Sequence, residues 1–438
     1  MSTLAGWGRI PEPGTEALDE NLERLSEGAH LSRGLGRSYG DSSLPASPDD
    51  RIANTTLANR ILRFDPSTGI LRAEAGLSLV NLIRLMLPRG WFPPVVPGTK
   101  YVTLGGMVAS DVHGKNHHRD GCFGAHVRAL RIRLADGAIV ECSPTADADL
   151  FFGTIGGMGL LGHILEVEFV MHRISSPWIF MDRVRVPNID EFLAALDRGA
   201  RDWPMTMGWI DCVHRGRAMG RGVLMAGRWA TPAEAPSQPP GLRPDIAMPI
   251  DLPNWAINPL TVAVFNTGYY WAHVRRHAQG VVAPDPFFHP LDAILEWNRV
   301  YGSRGFTQYQ CVLPRQAGAA AVREFMNRLT QLGGASPLCV IKDCGPEGQG
   351  VLSFPLEGTS IAVDFPVTRN IQQVVDGLNE FVIAAGGRIY LTKDRFTRPD
   401  HFRAMEPRLP VFEALREKWD PQRRLRSAQS RRLFGDVA

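Results

Sequence analysis

Four glycine-punctuated loops crowd the first 162 residues, and any fold for this chain must find a use for them. They are "RGLGRSYGD" at 33–41, "PGTKYVTLGG" at 97–106, "HGKNHH" at 113–118 and "GGMGLLG" at 156–162. Glycine leaves backbone N–H groups unobstructed and permits the positive φ from which anion-holding nests are made. One such loop means little. Four, interleaved with short strand-like runs, point to a large phosphate-bearing cofactor threaded through the domain. The stretch 157–162, "GMGLLG", matches the dinucleotide fingerprint G-x-G-x-x-G letter for letter. That fingerprint works only where a strand precedes it and a helix follows, so that pyrophosphate meets the helix N-terminus. Here "HILEVEFVMH" follows, alternating as a strand does, and a Rossmann site is not expected.

The third loop sets His113, His117 and His118 within six positions, which invites a metal. Zinc needs ligands held on a scaffold with a third ligand and an open position. "HGKNHH" lacks the H-E-x-x-H spacing, and adjacent histidines in an extended loop point opposite ways. No metal is expected.

The rest of the chain reads as an α+β protein with more than one core, as 438 residues suggest. "ILRFDPSTGILRAEAG" and "VRALRIRLADGAIVECS" read as hairpins, the second turning at Asp136-Gly137. "SLVNLIRLMLPRG" reads as a helix that Ser78 caps and Pro88 with Gly90 stop. From about residue 175 tryptophans and prolines rise; strands are expected in "WIFMDRVRV" and "GFTQYQCVL", and helices near 189–200 and 316–332. The proline-rich stretch at 230–260 reads as a long mobile loop. Six scattered cysteines without a C-x-x-C pair suit isolated thiols in a reducing setting. The N-terminus lacks the pattern of an export signal, and no run reaches the length of a membrane span. The net charge of +3 gives no reason to expect nucleic acid; five C-terminal arginines, Arg423, Arg424, Arg426, Arg431 and Arg432, read as a solvated terminal helix or a phosphate or membrane contact.

These motifs carry a resemblance. "RGLGRSYGD", "PGTKYVTLGGMVASDVHGKNHH", "FGTIGGMGLLG" and the late "YLTKD" resemble the flavoproteins of the vanillyl-alcohol oxidase / p-cresol methylhydroxylase type. "HGKNHH" together with "HPLD…EWNR…YG", "IKDCGP" and "GGRIYLTKD" is similar to its decaprenylphosphoryl-β-D-ribose 2′-oxidase-like branch, along nearly the whole chain. The resemblance implies a two-domain fold: an FAD-binding domain from residues 1–175 and the returning segment 387–438, with an antiparallel-sheet substrate domain, 176–386, inserted between. It implies FAD contacts at Arg33, Gly34, Leu35, Gly36, Arg37, Ser38, Tyr39 and Gly40. Further contacts fall on Gly98, Thr99, Thr103, Leu104, Gly105, Gly106, His113, Gly114, Lys115, Asn116, Ile164 and Tyr390. Covalent members often carry a histidine in the first loop. Ser38 stands at the comparable position, so noncovalent FAD is expected.

The implied reaction oxidises the 2′-hydroxyl of a polyprenyl-phosphoryl ribose to a ketone, with hydride leaving for flavin and the hydroxyl proton needing a path of its own. Lys393, His113 and Tyr39 are the expected catalytic residues. Gln308, Gln310, Lys342, Ser360, Ala362 and Lys393 are the expected substrate wall, with Lys342 on the phosphate. Gln308 and Gln310 share one strand face by period-two spacing. Ser360 and Ala362 depart from the branch, which tends to have asparagine and cysteine there. A ketone-reducing short-chain dehydrogenase partner, peripheral membrane contact and a cytoplasmic or inner-membrane-associated location complete the expectation. The rival readings are an oxidoreductase of a soluble sugar, alditol or aldonolactone, a zinc enzyme using the histidines, and a noncatalytic flavin-binding protein.

Overall fold

The computed structural model describes residues 2–241, 246–333 and 336–437. Near the N-terminus β1 (Thr15–Leu18), β2 (Leu31–Arg33) and β3 (Arg51–Asn54) form a parallel sheet in the order β1-β3-β2. Next come β4 (Ile61–Asp65), β5 (Ile70–Glu74), β6 (Val127–Arg133), β7 (Ile139–Cys142) and β8 (His163–Val170), an antiparallel sheet in the order β7-β6-β8-β5-β4. Its hairpins close at the expected turns. Asp65 accepts from the Ser67 N–H and hydroxyl and from the Thr68 hydroxyl, donors that pull its pKa down to about 2. Asp136 Oδ1 accepts from Ala138 N–H in the second turn. Helix α1 (Leu79–Met86) starts at Ser78, whose side chain accepts from Asn81 N–H, and Gly90 ends the following turn at φ 78°. A strand, β8, does follow "GMGLLG": Val167 and Phe169 point into the core, while Glu166 on the other face takes Arg72 at 2.6 Å and Arg131 at 3.1 Å.

The middle of the chain builds one eight-stranded antiparallel sheet. Its strands are β9 (Ile179–Val186), β10 (Met205–Ile210), β11 (Gly222–Trp229), β12 (His277–Val282), β13 (Phe306–Pro314), β14 (Cys339–Cys344), β15 (Gly358–Pro366) and β16 (Arg388–Ile389), in the order β12-β9-β11-β10-β14-β15-β13-β16. Period two divides its central strands. Tyr309, Cys311, Ile341, Ile361 and Val363 meet residues of three helices: α2 (Ile189–Asp202), α3 (Gly318–Gln331) and α4 (Ile371–Ala384). The alternate residues Gln308, Gln310, Lys342, Ser360 and Ala362 therefore face the other way, toward the glycine loops. A second hydrophobic cluster gathers residues of the first 179 positions with Leu391, Phe402, Leu409, Phe412 and Leu433 from the end of the chain.

Four readings need correction. Among the described residues the middle region holds helices beyond the two expected: α4, the short Pro284–Phe288, and a helix at Pro259–Ala272 whose apolar run "LTVAVF" hides its period. Asn258 and Thr261 form a capping box with Pro259 at the first turn, a signal present in the sequence. The 230–260 stretch, expected to be mobile, is tethered: Arg228 pairs with Glu234 at 2.7 Å, Asp251 binds Arg9 and Arg299 at 2.8 Å each, and Ile246–Ala247 pairs with Ile294–Leu295. Its residues 242–245 lie outside the described residues. The middle sheet also runs past residue 386, since β16 pairs with β13. Finally, most of the C-terminal arginines turn inward. Arg432 binds Asp41 and Asp394, both at 2.8 Å; Arg426 binds Asp50 at 2.6 Å; Arg431 donates to the Ala46 carbonyl.

The most buried of these ties is Arg416, fully enclosed, which grips Asp436 through both carboxylate oxygens at 2.9 and 2.8 Å and donates to the Leu425 carbonyl. Removing one partner of such a pair leaves an uncompensated buried charge. Arg416→Ala is expected to cost about 3–5 kcal/mol in denaturant unfolding. A loss under about 1 kcal/mol would show that water reaches Asp436.

Candidate active site

Three distant segments meet where the two clusters face each other. The first loop leaves β2 at Arg33, whose guanidinium donates to the Ala5 carbonyl at 2.8 Å and lies 3.3 Å from Glu16. Gly34 abuts the side chain of Thr103 so closely that a Cβ would overlap Oγ1, and Gly40 abuts the Asp394 carbonyl in the same way. Neither glycine can be replaced without moving the second loop or the C-terminal segment. Backbone bonds continue the seam: Trp7 N–H to the Ser38 carbonyl at 2.7 Å, and Tyr39 N–H to the Thr392 carbonyl at 3.0 Å. Thr103 caps the short helix Leu104–Ala109, accepting from Gly106 N–H at 3.3 Å. The Thr99 hydroxyl accepts from Tyr101 N–H.

The third loop is bound to the middle sheet. Lys115 donates from Nζ to the Phe288 carbonyl at 2.9 Å, and Asn116 Nδ2 donates to the Pro94 carbonyl at 2.8 Å. His117 Nδ1 accepts from Gly345 N–H at 3.0 Å, and His118 Nε2 lies 2.9 Å from the Trp203 carbonyl. Those two histidines brace the loop. Among the described residues no group of three or more His, Cys, Asp or Glu could hold a metal ion. His113 differs from its neighbours: Gln310 donates to its Nε2 at 3.0 Å and also to Ser360 Oγ at 3.2 Å. Burial, with Lys342 nearby, holds His113 well below the usual histidine range, so it is neutral. Beside it Tyr390 stacks on Phe354 at 4.8 Å and donates its hydroxyl to the Ser110 carbonyl at 2.8 Å.

Lys393 projects its Nζ over the Tyr39 ring, 3.8 Å from the centroid. It keeps some accessible surface, yet the enclosing protein strips enough water to lower its pKa to about 7. Asp364 opposes that shift and Lys342 adds to it. Asp364 itself is fully buried on β15, where Gln308 Nε2 donates at 2.6 Å and Tyr301 hydroxyl at 3.1 Å. Burial raises its pKa to about 7. Lys342, half-buried on β14, has no hydrogen bond or ion pair among the described residues, and burial lowers its pKa. The Ala362 side chain is buried in register with Gln310, and Ser360 pairs with both Val312 and Lys342.

The geometry thus brings Tyr39, His113, Gln308, Gln310, Lys342, Ser360, Ala362, Tyr390 and Lys393 to one cleft. Arg33, Lys115 and Asn116 brace loops. Leu35 is exposed, and Ile164 lies in β8, buried in the core. Asp364 and Tyr301 were not read from the sequence. Asp364 follows Ser360 and Ala362 at period two in "SIAVDFP", so the strand face already pointed to it.

The cleft can accept a phosphate-bearing flavin on three observations. Gly98 has open space where a Cβ would stand. Arg37 Nε and His113 Nδ1 are buried without a hydrogen-bond partner among the described residues. The Arg37 guanidinium lies 4.0 Å from the Trp7 ring centroid and 5.3 Å from that of Tyr101, a cation held among flat surfaces.

Comparison with known proteins identifies the family. Residues 28–143 match the FAD binding domain family. The decaprenylphosphoryl-beta-D-ribose oxidase of Mycolicibacterium smegmatis is 34% identical over 98% of this chain and 97% of its own length. The rat Delta(24)-sterol reductase is 32% identical over 25% of this chain and 21% of its own. A putative D-arabinono-1,4-lactone oxidase of Neurospora crassa is 27% identical over 34% and 28%. The likeness to the first runs the whole length, and the others share only a part of the chain. The chain is an FAD-dependent oxidoreductase and belongs to the decaprenylphosphoryl-β-D-ribose oxidase family.

Proposed function

We propose that this enzyme oxidises the 2′-hydroxyl of a polyprenyl-phosphoryl-β-D-ribose to the 2′-keto sugar, and that Lys393 takes the hydroxyl proton. The observation that carries the reading is Lys393 itself: an amine with a pKa near 7, lying against Tyr39 with Asp364 nearby. An ordinary lysine, near 10.4, is almost wholly protonated at neutral pH and cannot act as a base. This one is poised between its two forms, where general-base efficiency is greatest.

FAD, when bound, supplies the hydride acceptor. Noncovalent binding follows from Ser38 at the position where covalent relatives carry a histidine. Residues 33–40, 98–106 and 113–116, with Tyr390 and Ile164, would hold it. The protein's own part is proton handling and orientation. When Nζ gains the substrate proton, an ammonium forms in a confined space. Asp364 stabilises it, and its carboxylate is favoured in turn by that positive charge. Gln308 fixes the Asp364 orientation, and Gln310 fixes neutral His113. Tyr39, buried, keeps its phenol proton and can orient the sugar hydroxyl by hydrogen bonding. Lys342, whose side chain has no hydrogen bond or ion pair among the described residues, suits the substrate phosphate as a point charge. Ser360 and Ala362 leave room beside the sugar.

The reading carries two further elements. The domain division is 1–175 with 387–438 around 176–386, the vanillyl-alcohol-oxidase arrangement, with the returning segment lending β16 (Arg388–Ile389) to the middle sheet. A separate short-chain dehydrogenase would reduce the ketone on the opposite face, giving the arabinose donor.

Anaerobic titration tests the substrate. Polyprenyl-phosphoryl ribose should bleach the flavin stoichiometrically, and free alditols or aldonolactones should do so at least a hundredfold more slowly. The reverse order would assign the enzyme to soluble sugars. Lys393→Met should slow flavin reduction by about 10²–10⁴-fold, the usual worth of a general base, while FAD absorbance stays unchanged. In the wild type the reduction rate should rise with pH through about 7 as Nζ loses its proton. Asp364 raises the Lys393 pKa, so Asp364→Asn should move that rise to lower pH. A profile that does not move would remove Lys393 as the titrating base.

A further inference from the structure

The helix Pro259–Ala272 of the middle region is turned inside out. Asn266, in its middle, is fully buried and donates to Asp211 Oδ1 at 3.0 Å. Thr267 accepts from Arg221 at 2.8 Å, and Tyr270 packs on Trp209 and Val223. Its outward face is apolar: Leu260, Val264, Phe265 and Trp271 are exposed by 73, 66, 53 and 55%. Ordinary surface helices do the opposite, and a helix apolar on its outer face needs something apolar to meet it. The patch extends beyond the helix. Ile246, Ile250, Trp255 and Val274 are also exposed, so half of the exposed large hydrophobics among the described residues fall in this one stretch.

Charge selects the occupant. From Leu252 to Pro284 the chain has no carboxylate, and its only permanent charges are Arg275 and Arg276, both exposed at the helix C-terminal end. Arg275 has no ion pair among the described residues; Arg276 has a long one, 3.4 Å, to exposed Glu191. Arg185 lies under Trp271, 4.3 Å from its ring centroid. A second copy of this chain would set like charges against each other. An anionic lipid surface would meet the arginines with phosphates and the Trp and Phe rings with its interface. Location favours it too: Ile257, just before the helix, packs in the aromatic cluster of Tyr39, Tyr301 and Phe306.

We infer that the exposed face of Pro259–Ala272, with Trp255, Val274, Arg275 and Arg276, docks this enzyme peripherally on an anionic bilayer, next to the aromatic cluster that contains Tyr39. The role of the surface rests on the lipid-linked substrate proposed above, but its binding does not. No helix among the described residues is long and apolar enough to cross a membrane, so the contact is interfacial.

The test is flotation of the FAD-loaded protein with vesicles, without substrate. Wild type should float with equimolar phosphatidylglycerol and phosphatidylcholine, and poorly with phosphatidylcholine alone. Val264→Ser/Phe265→Ser/Trp271→Ser should reduce partitioning at least tenfold. Arg275→Ala/Arg276→Ala should abolish the preference for phosphatidylglycerol. Both variants should keep bound flavin and normal reduction by a short-chain, water-soluble substrate analogue. Wild type that stays with the pellet in every mixture, or a triple variant that floats equally well, overturns the inference. So does a wild-type dimer, by light scattering, that the triple variant converts to monomer with no vesicle binding. Because no substrate is present, failure here leaves the anaerobic titration untouched, and failure there leaves this result standing.

Discussion

Lys342 sets the electrostatics of the cleft. It disfavours the protonated forms of His113, Lys115, His117 and Lys393, four groups on two chain segments. Against this crowd the strand faces offer one fully buried carboxylate, Asp364. Burial is the larger cause for each of the four, because each cation loses water, and the Lys342 charge adds to it. A cleft so arranged favours negative charge, and it does so without a paired acid beside Lys342 to compete for the guest. The neutral state of His113 and the divided state of Lys393 both follow from burial first, with the Lys342 charge adding to it. The loops, the sheet register and the C-terminal segment all serve to hold these groups together.

The sheet does this by simple alternation. One face of β13, β14 and β15 is Tyr, Cys, Ile and Val against helices. The other carries Gln, Lys, Ser, Ala and Asp. Antiparallel register then sets Gln308 opposite Asp364 and Gln310 opposite Ala362, so the polar groups fall into rows and not into scatter. A one-residue slip would bury all of them among aliphatic side chains, so packing on the helices fixes the chemistry on the other face.

Much of this was legible in the sequence, for identifiable reasons. Gly34 and Gly40 sit where backbone must approach another segment, and short motifs with such constraints are easily read. The rejection of "GMGLLG" as a Rossmann turn needed only the alternation of the residues after it. Asp364 was missed because Ser360 and Ala362 drew notice as substitutions, while the period they share was not extended by one step. The Lys115 Nζ also meets the Phe288 carbonyl, 173 residues away, a partner no local pattern reveals. The inside-out helix hid for a related reason. Its exposed face looks like a core, and only the burial of Asn266 shows which side is which.

The arginines of the final helix carry a consequence for timing. Arg432 holds Asp41, a residue of the first glycine loop, across 391 positions of sequence. Chains grow at roughly 5–20 residues per second, so the loop waits roughly 20–80 s between its own synthesis and the arrival of its clasp. Until then Gly40 has no Asp394 carbonyl to rest against, and Asp41 no cation. The first part of the cofactor cradle to leave the ribosome is therefore among the last to take its final form.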